Sequence, residues 1–323
     1  MMGNVFADMK AYLEPLILMV AIIIGSLSGL AYSINPSVID YSIIVMLCCL
    51  FFNLSIAHLL RGATNKRYLS IAWGVNFVLL PTIAFMISLI FVDQSSMLFV
   101  GLMFYLVAPC TDWFLGFTKL ADGDVDVNCA LLPINLLSQV LLLPLYLFLF
   151  TSHNAHIEMA AFFNVLLNWV LYPFFFGQCI RFICAKKSTG LLERGTVIAE
   201  RGMVIALAVL VFSIFNNNIQ SLIRNLSILP VTLLVVVCFF LTVYFLGGLI
   251  SKKAGFTRSE KASLIITSSA RNTPLMLAIA VGLFPNETVI QLILILGMLI
   301  EFPHLILLSF LLRKSSDITC DSL

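Results

Sequence analysis

Ala108-Pro109-Cys110-Thr111-Asp112 interrupts an apolar run from about residue 97 to residue 121. Ser268-Ser269-Ala270-Arg271-Asn272-Thr273-Pro274 interrupts a second run, from about 257 to 283. The centres of the two breaks lie roughly 162 residues apart, about half the chain. Unwound backbone at membrane depth is tolerated only where protein buries it or where it lines a cavity. Matched interruptions in the two halves of a polytopic chain point to the binding site of a secondary transporter. A small solute, inorganic or organic, is the expected cargo.

Working outward, the composition supports a bilayer protein. Hydrophobic residues make up 61% of the chain and charged residues 11%, with 27 Phe and a mean hydropathy of +1.08. A water-soluble core does not have this balance. Ten expected spans fall at 12–33, 38–60, 68–92, 97–121, 125–150, 158–184, 196–215, 226–250, 257–283 and 289–312. Each is long enough for a hydrocarbon layer of about 30 Å. Only short polar connections remain, so residues 1–323 read as a single transmembrane domain. The apolar stretch 13–32 is longer than the core of a signal peptide and lacks a convincing small-residue cleavage site, so it counts as the first span.

Sixteen of the eighteen Lys and Arg fall at the ends of the spans that would share one side. Arg224 stands alone on the other side, and Arg271 lies inside a span. This bias places both termini in the cytoplasm. Five spans per half is an odd number, so the second half crosses in the opposite sense. The expected architecture is all-α, with inverted five-helix repeats at 12–150 and 156–313 and broken crossing helices fourth and ninth.

The eight cysteines (48, 49, 110, 129, 179, 184, 238 and 320) form no spaced framework. Free thiols are expected, with no disulfide and no metal site. HExxH, GxSxG and phosphate-binding glycine loops are absent from the sequence, and Gly123-Asp124 lacks the preceding Gly-x of an intramembrane aspartyl protease. The chain reads as a non-enzyme, without cofactor and without nucleic acid as partner.

An ionisable group deep in a span costs at least about 2.5 kcal/mol on insertion scales, which makes each one a functional candidate. Glu301 is 12 residues from one end of its expected span and 11 from the other, and Arg271 is 14 residues into a 27-residue span. Asp112 lies just after Pro109, in the first break. Arg271 could serve as a charge partner to Glu301 or Asp112. His304 is three positions from Glu301, on one helical face, so the two could relay protons; packing of the imidazole near headgroups is the alternative. Pro303 removes a helical hydrogen bond beside Glu301. Cys110, beside Pro109 in the first break, is either a small apolar filler or a cavity-facing thiol.

At these residues the chain resembles the bile acid/sodium symporter superfamily, and most closely its arsenite efflux permeases. Leu120-Ala121-Asp122-Gly123-Asp124 is similar to the superfamily's Leu-Ala-x-Gly-Asp. Ala108-Pro109-Cys110 resembles the permeases' Ala-Arg-Cys, and Ile300-Glu301-Phe302-Pro303 their Val-Glu-x-Pro. Asn272 with Leu277-Ala278-Ile279-Ala280 resembles the ninth-span motif. The resemblance implies a functional cysteine at Cys110 and an essential glutamate at Glu301. Pro109, Thr111, Asp112, Asn272 and Thr273 would surround the solute. It also implies a core of spans 3–5 and 8–10, a panel of spans 1, 2, 6 and 7, and exchange of arsenite for protons across the plasma (inner) membrane. The bile-acid branch instead imports organic anions with sodium, and a transporter-like sensor would keep the same fold. This chain departs from the sodium-coupled pattern. It carries Phe114-Leu115 where those members have Ser-Asn, Thr267 where they have Glu, and Arg271 where they have Gln. Phe114 and Leu115 offer a cation no side-chain oxygen.

Overall fold

The computed structural model describes residues 2–54, 65–111, 113–150, 163–224 and 227–314. Asp112, Arg61, Cys320 and the expected start of the sixth span at 158–162 lie outside the described residues. Among the described residues every regular element is a helix. In chain order these are α1 (Met2–Gly29), α2 (Ser37–Asn53), α3 (Lys66–Phe91), α4 (Met97–Leu106), α5 (Phe114–Leu120), α6 (Val125–Phe150), α7 (Phe163–Lys187), α8 (Thr189–Arg224), α9 (Ile228–Lys253), α10 (Arg258–Ser269), α11 (Thr273–Leu283) and α12 (Thr288–Lys314).

Six of them, α3, α6, α7, α8, α9 and α12, are long and apolar enough to cross a membrane. Large apolar side chains point outward from them: Leu141 is 74% exposed, Phe148 80% and Ile198 70%. Solvent-facing surfaces of soluble proteins do not carry apolar faces of this extent. One expectation about connections changes. The stretch 185–195 reads as a polar loop, but α7 runs to Lys187 and α8 begins at Thr189. At 1.5 Å per residue α8 is about 54 Å long, so polar residues here extend a helix beyond the hydrocarbon thickness instead of ending it.

The helices fall into two packing groups. α1 and α2 both lie along α8, and α7 packs on α2 and α8. Gly25 and Gly29 of α1 make this approach possible: a Cβ at either would come within 2.5 Å or 2.2 Å of the carbonyl oxygen of Phe212 or Asn216 on α8. Small residues four apart let membrane helices meet backbone to backbone. The second group is α3–α6 with α9–α12. In it α4 packs on α12, α10 on α5, α6 and α9, and α11 on α12.

Both quoted stretches break their helices, for a local reason. Pro274 has no N–H to donate to the carbonyl four residues back, Ala270. Asn272 then caps α11, its side-chain oxygen accepting from the Leu275 N–H at 3.4 Å. Ala270 is extended (φ −74°, ψ 135°) and ends α10. In the first half Val107 closes α4, Pro109 follows, and helix resumes at Phe114.

Candidate solute and proton site

The two breaks satisfy each other. Pro109 and Arg271 pair as an antiparallel bridge. The Cys110 N–H donates to the Ala270 carbonyl at 2.9 Å, and the Asn272 N–H donates to the Ala108 carbonyl at 3.0 Å. Each half thus uses main-chain groups that the other half's break set free, as buried backbone requires. The Asn272 amide also donates to Thr111 Oγ1 at 2.9 Å, a side-chain link across the same crossing.

Arg271 is fully buried. Its guanidinium donates to the carbonyls of Leu106 (2.8 Å), Ser269 (3.4 Å) and Ser268. Those oxygens end α4 and α10, where helix dipoles concentrate negative potential. The Phe239 ring lies 5.3 Å from the guanidinium carbon and adds a cation–π contact. Arg271 therefore supplies a fixed cation to the C-terminal ends of two half-helices.

Glu301 is also fully buried, and it meets Arg271 through the main chain. The Arg271 N–H donates to Glu301 Oε1 at 2.9 Å, and the Trp113 indole N–H donates to the same oxygen at 3.0 Å. On the other oxygen, Tyr105 Oη is 3.0 Å from Oε2 and 2.8 Å from the Gly297 carbonyl. A hydroxyl has one proton but can also accept. With Glu301 ionised, Tyr105 donates to the carboxylate. With Glu301 protonated, Oε2 donates to Tyr105, and Tyr105 donates to Gly297. The site is satisfied in both protonation states. Gly297 is required for this, because a Cβ there would sit 2.7 Å from the Tyr105 ring.

The remaining expected residues are placed as follows. Cys110 is buried at the crossing, one residue on from the Pro109–Arg271 pair. Thr273 is buried, and its hydroxyl has no hydrogen-bond partner within the protein. The His304 ring stacks on Phe240 at 4.2 Å, nearly parallel, and its Nε2 has no partner. Tyr105 and Trp113 are the site residues that sequence reasoning passed over. The available signal was a hydroxyl and an indole N–H flanking the first break, since buried Tyr and Trp generally need a partner.

A cavity of about 370 Å³ opens beside the crossing, between the two packing groups. Thr111, Trp113 and Phe302 line it on one side and Phe51, Glu200 and Met203 on the other, with Lys119 also in the wall. Most of its surface is aliphatic or aromatic.

An all-helical membrane protein with two interrupted helices paired at a buried carboxylate, next to a cavity, is a transporter by architecture. The family model of the sodium bile acid symporter family matches residues 41–249, and the chain belongs to that family. It is also similar to the arsenical-resistance protein Acr3 of Corynebacterium glutamicum, at 24% identity over 260 residues, covering 76% of this chain and 69% of that protein.

Proposed function

We propose that the chain is a secondary active transporter that exports trivalent arsenic in exchange for protons. In this reading it has ten spans in two inverted repeats, at 12–150 and 156–313, with both termini cytoplasmic in the plasma (inner) membrane. The solute site is Cys110 with Pro109, Thr111, Asp112, Asn272 and Thr273. Glu301 carries the proton and Arg271 is its charge partner. His304 faces Phe240 and contributes to coupling only if it moves.

The observation that carries this reading is the convergence of Cys110, Arg271 and Glu301 on one main-chain crossing. A carboxyl with hydrogen bonds ready for either protonation state suits proton exchange. A guanidinium already bonded to the ends of α4 and α10 supplies the charge that a bound sodium ion would otherwise bring there. Arsenite is neutral in the cytoplasm and thiophilic, so a single thiol favours transient capture. The similarity to Acr3 supports this solute.

The largely apolar cavity wall favours a second reading, in which the cargo is an amphipathic organic anion moved with sodium or protons. Transport into inverted vesicles decides between them, with arsenite and organic anions supplied under imposed proton or sodium gradients. Proton-driven accumulation of arsenite without sodium stimulation is expected. Sodium-stimulated movement of an organic anion would overturn the exchange reading.

A further inference from the structure

Trp113 belongs to two environments at once. Its ring lines the cavity and lies 5.2 Å from the Phe302 ring, while its N–H holds Glu301 Oε1 at 3.0 Å. It is the N-cap residue of α5, where an indole, which only donates, cannot cap the free N–H groups. Asp112 aside, which lies outside the described residues, Trp113 alone joins the cavity wall to the carboxylate by a side-chain hydrogen bond.

We infer that Trp113 makes proton and solute mutually exclusive, holding back from the cavity while Glu301 is ionised and entering it when Glu301 is protonated. The inference rests on the reading that Glu301 carries the proton. A hydrogen bond from a neutral N–H to a carboxylate is roughly twice as strong as one to a neutral carboxyl. Protonation leaves Oε2 satisfied through Tyr105 and leaves the Arg271 N–H on Oε1. The indole is the one donor on Glu301 that belongs to a side chain with open space beside it. Once its bond weakens, the ring can turn into the cavity and take volume that a solute needs. An exchanger requires this exclusion, since proton and solute occupying the site together would give symport.

Among the described residues, the charged and titratable groups that bond Glu301 are Tyr105 from α4 and Arg271 from the second break, and Cys110 lies at the same crossing, bonded to the Ala270 carbonyl. On its own helix His304 faces Phe240 of α9. Lys119 of α5 and Glu200 of α8 border the cavity, and Arg258 of α10 bonds the far end of α12 at the Leu312 carbonyl. The indole N–H donates to Glu301.

The test uses the full-length protein in lipid nanodiscs with Trp73→Phe and Trp169→Phe, which leaves Trp113 as the sole tryptophan. Without any solute, the emission of Trp113 should shift between high and low pH in a single transition, and Glu301→Gln should hold it at the low-pH value. In a second arm, sodium arsenite should bind at high pH and lose at least tenfold in affinity at low pH. Trp113→Phe keeps the ring but removes the donor, so it should bind arsenite at high pH with less than threefold pH dependence. Size-exclusion profiles report folding of each variant, and Trp113→Leu, which also lacks a donor, serves if Trp113→Phe does not fold. Emission that ignores pH, or a transition that persists in Glu301→Gln, would overturn the inference. So would Trp113→Phe with undiminished proton competition. A Glu301-dependent emission transition in a protein that binds no arsenite supports the inference while removing arsenite as the solute, so the two readings fail separately.

Discussion

The two breaks share a backbone arrangement and differ in what their side chains leave undone. The bridge between Pro109 and Arg271 gives them a common register, 162 residues apart (271 less 109). The same offset relates Glu301 of α12 to Gln139 of α6, and Gly297 to Asn135. Around the second break the charged groups are committed, while the hydroxyls of Thr267, Ser269 and Thr273 are buried without a partner in the protein. Arg271 holds three carbonyls, its N–H holds Glu301, and Tyr105 closes the carboxylate. Around the first break Pro109 has no N–H to offer, and on α6 both polar atoms of Asn135 and of Gln139 are buried without a partner in the protein. The contrast is between charged groups that the second break commits and amides on α6 that stay uncommitted, together with the hydroxyls beside the second break.

That contrast is most directly broken at Arg271. Arg271→Leu leaves three buried carbonyls without donors, at about 1–3 kcal/mol each. It should lower thermal stability in detergent severely and abolish transport, while Arg271→Lys retains a charge but only part of the geometry. If Arg271→Leu melts like the unmodified protein, the second break is not held by the guanidinium. Next is Glu301→Gln, which keeps the shape and mimics the protonated form. It should eliminate gradient-driven export with folding intact, and arsenite should protect Cys110 from alkylation only at concentrations at least tenfold higher than the unmodified protein needs at high pH. Export at the normal rate and pH dependence would move coupling elsewhere, with Asp112 the next residue to change.

A smaller, solute-specific loss is expected from Cys110→Ala. Arsenite resistance in a sensitive host should disappear at unchanged expression, while Cys48→Ala and Cys238→Ala are tolerated. Normal resistance in Cys110→Ala would make that thiol a packing residue. The mildest effect belongs to Gln139→Leu. Removing buried polar atoms that have no partner should leave stability unchanged or raise it by up to about 1 kcal/mol. Transport should nevertheless fall severalfold if the uncommitted amides of α6 serve water or solute. A drop in stability like that of Arg271→Leu would show that Gln139 is committed after all, and the contrast between the halves would collapse.

Much of this was legible before any coordinates. The breaks stood out because Pro109 and Pro274 interrupt apolar runs, and Glu301 and Arg271 because ionisable groups in such runs are costly. Tyr105 and Trp113 were legible only as polar atoms in need of a partner, since aromatic residues are ordinary in membrane helices and nothing local says which neighbour those atoms will find. His304 shows how tertiary packing adds to helical spacing. Helical spacing puts it on the face of Glu301, but the ring beside it on α9, Phe240, decides where the imidazole rests.

The sequence by itself determined the class: an apolar, charge-poor chain with two matched interruptions, because hydropathy and missing proline donors are local properties. Only the tertiary structure decided how the interruptions are used. The carbonyls that Arg271 holds come from Leu106 and from Ser268 and Ser269, in opposite halves of the chain. The donors to Glu301 come from α4 and from both breaks. Hydrogen bonds act over about 3 Å in space whatever the separation in sequence, so which buried donor meets which acceptor is settled only when the two halves pack.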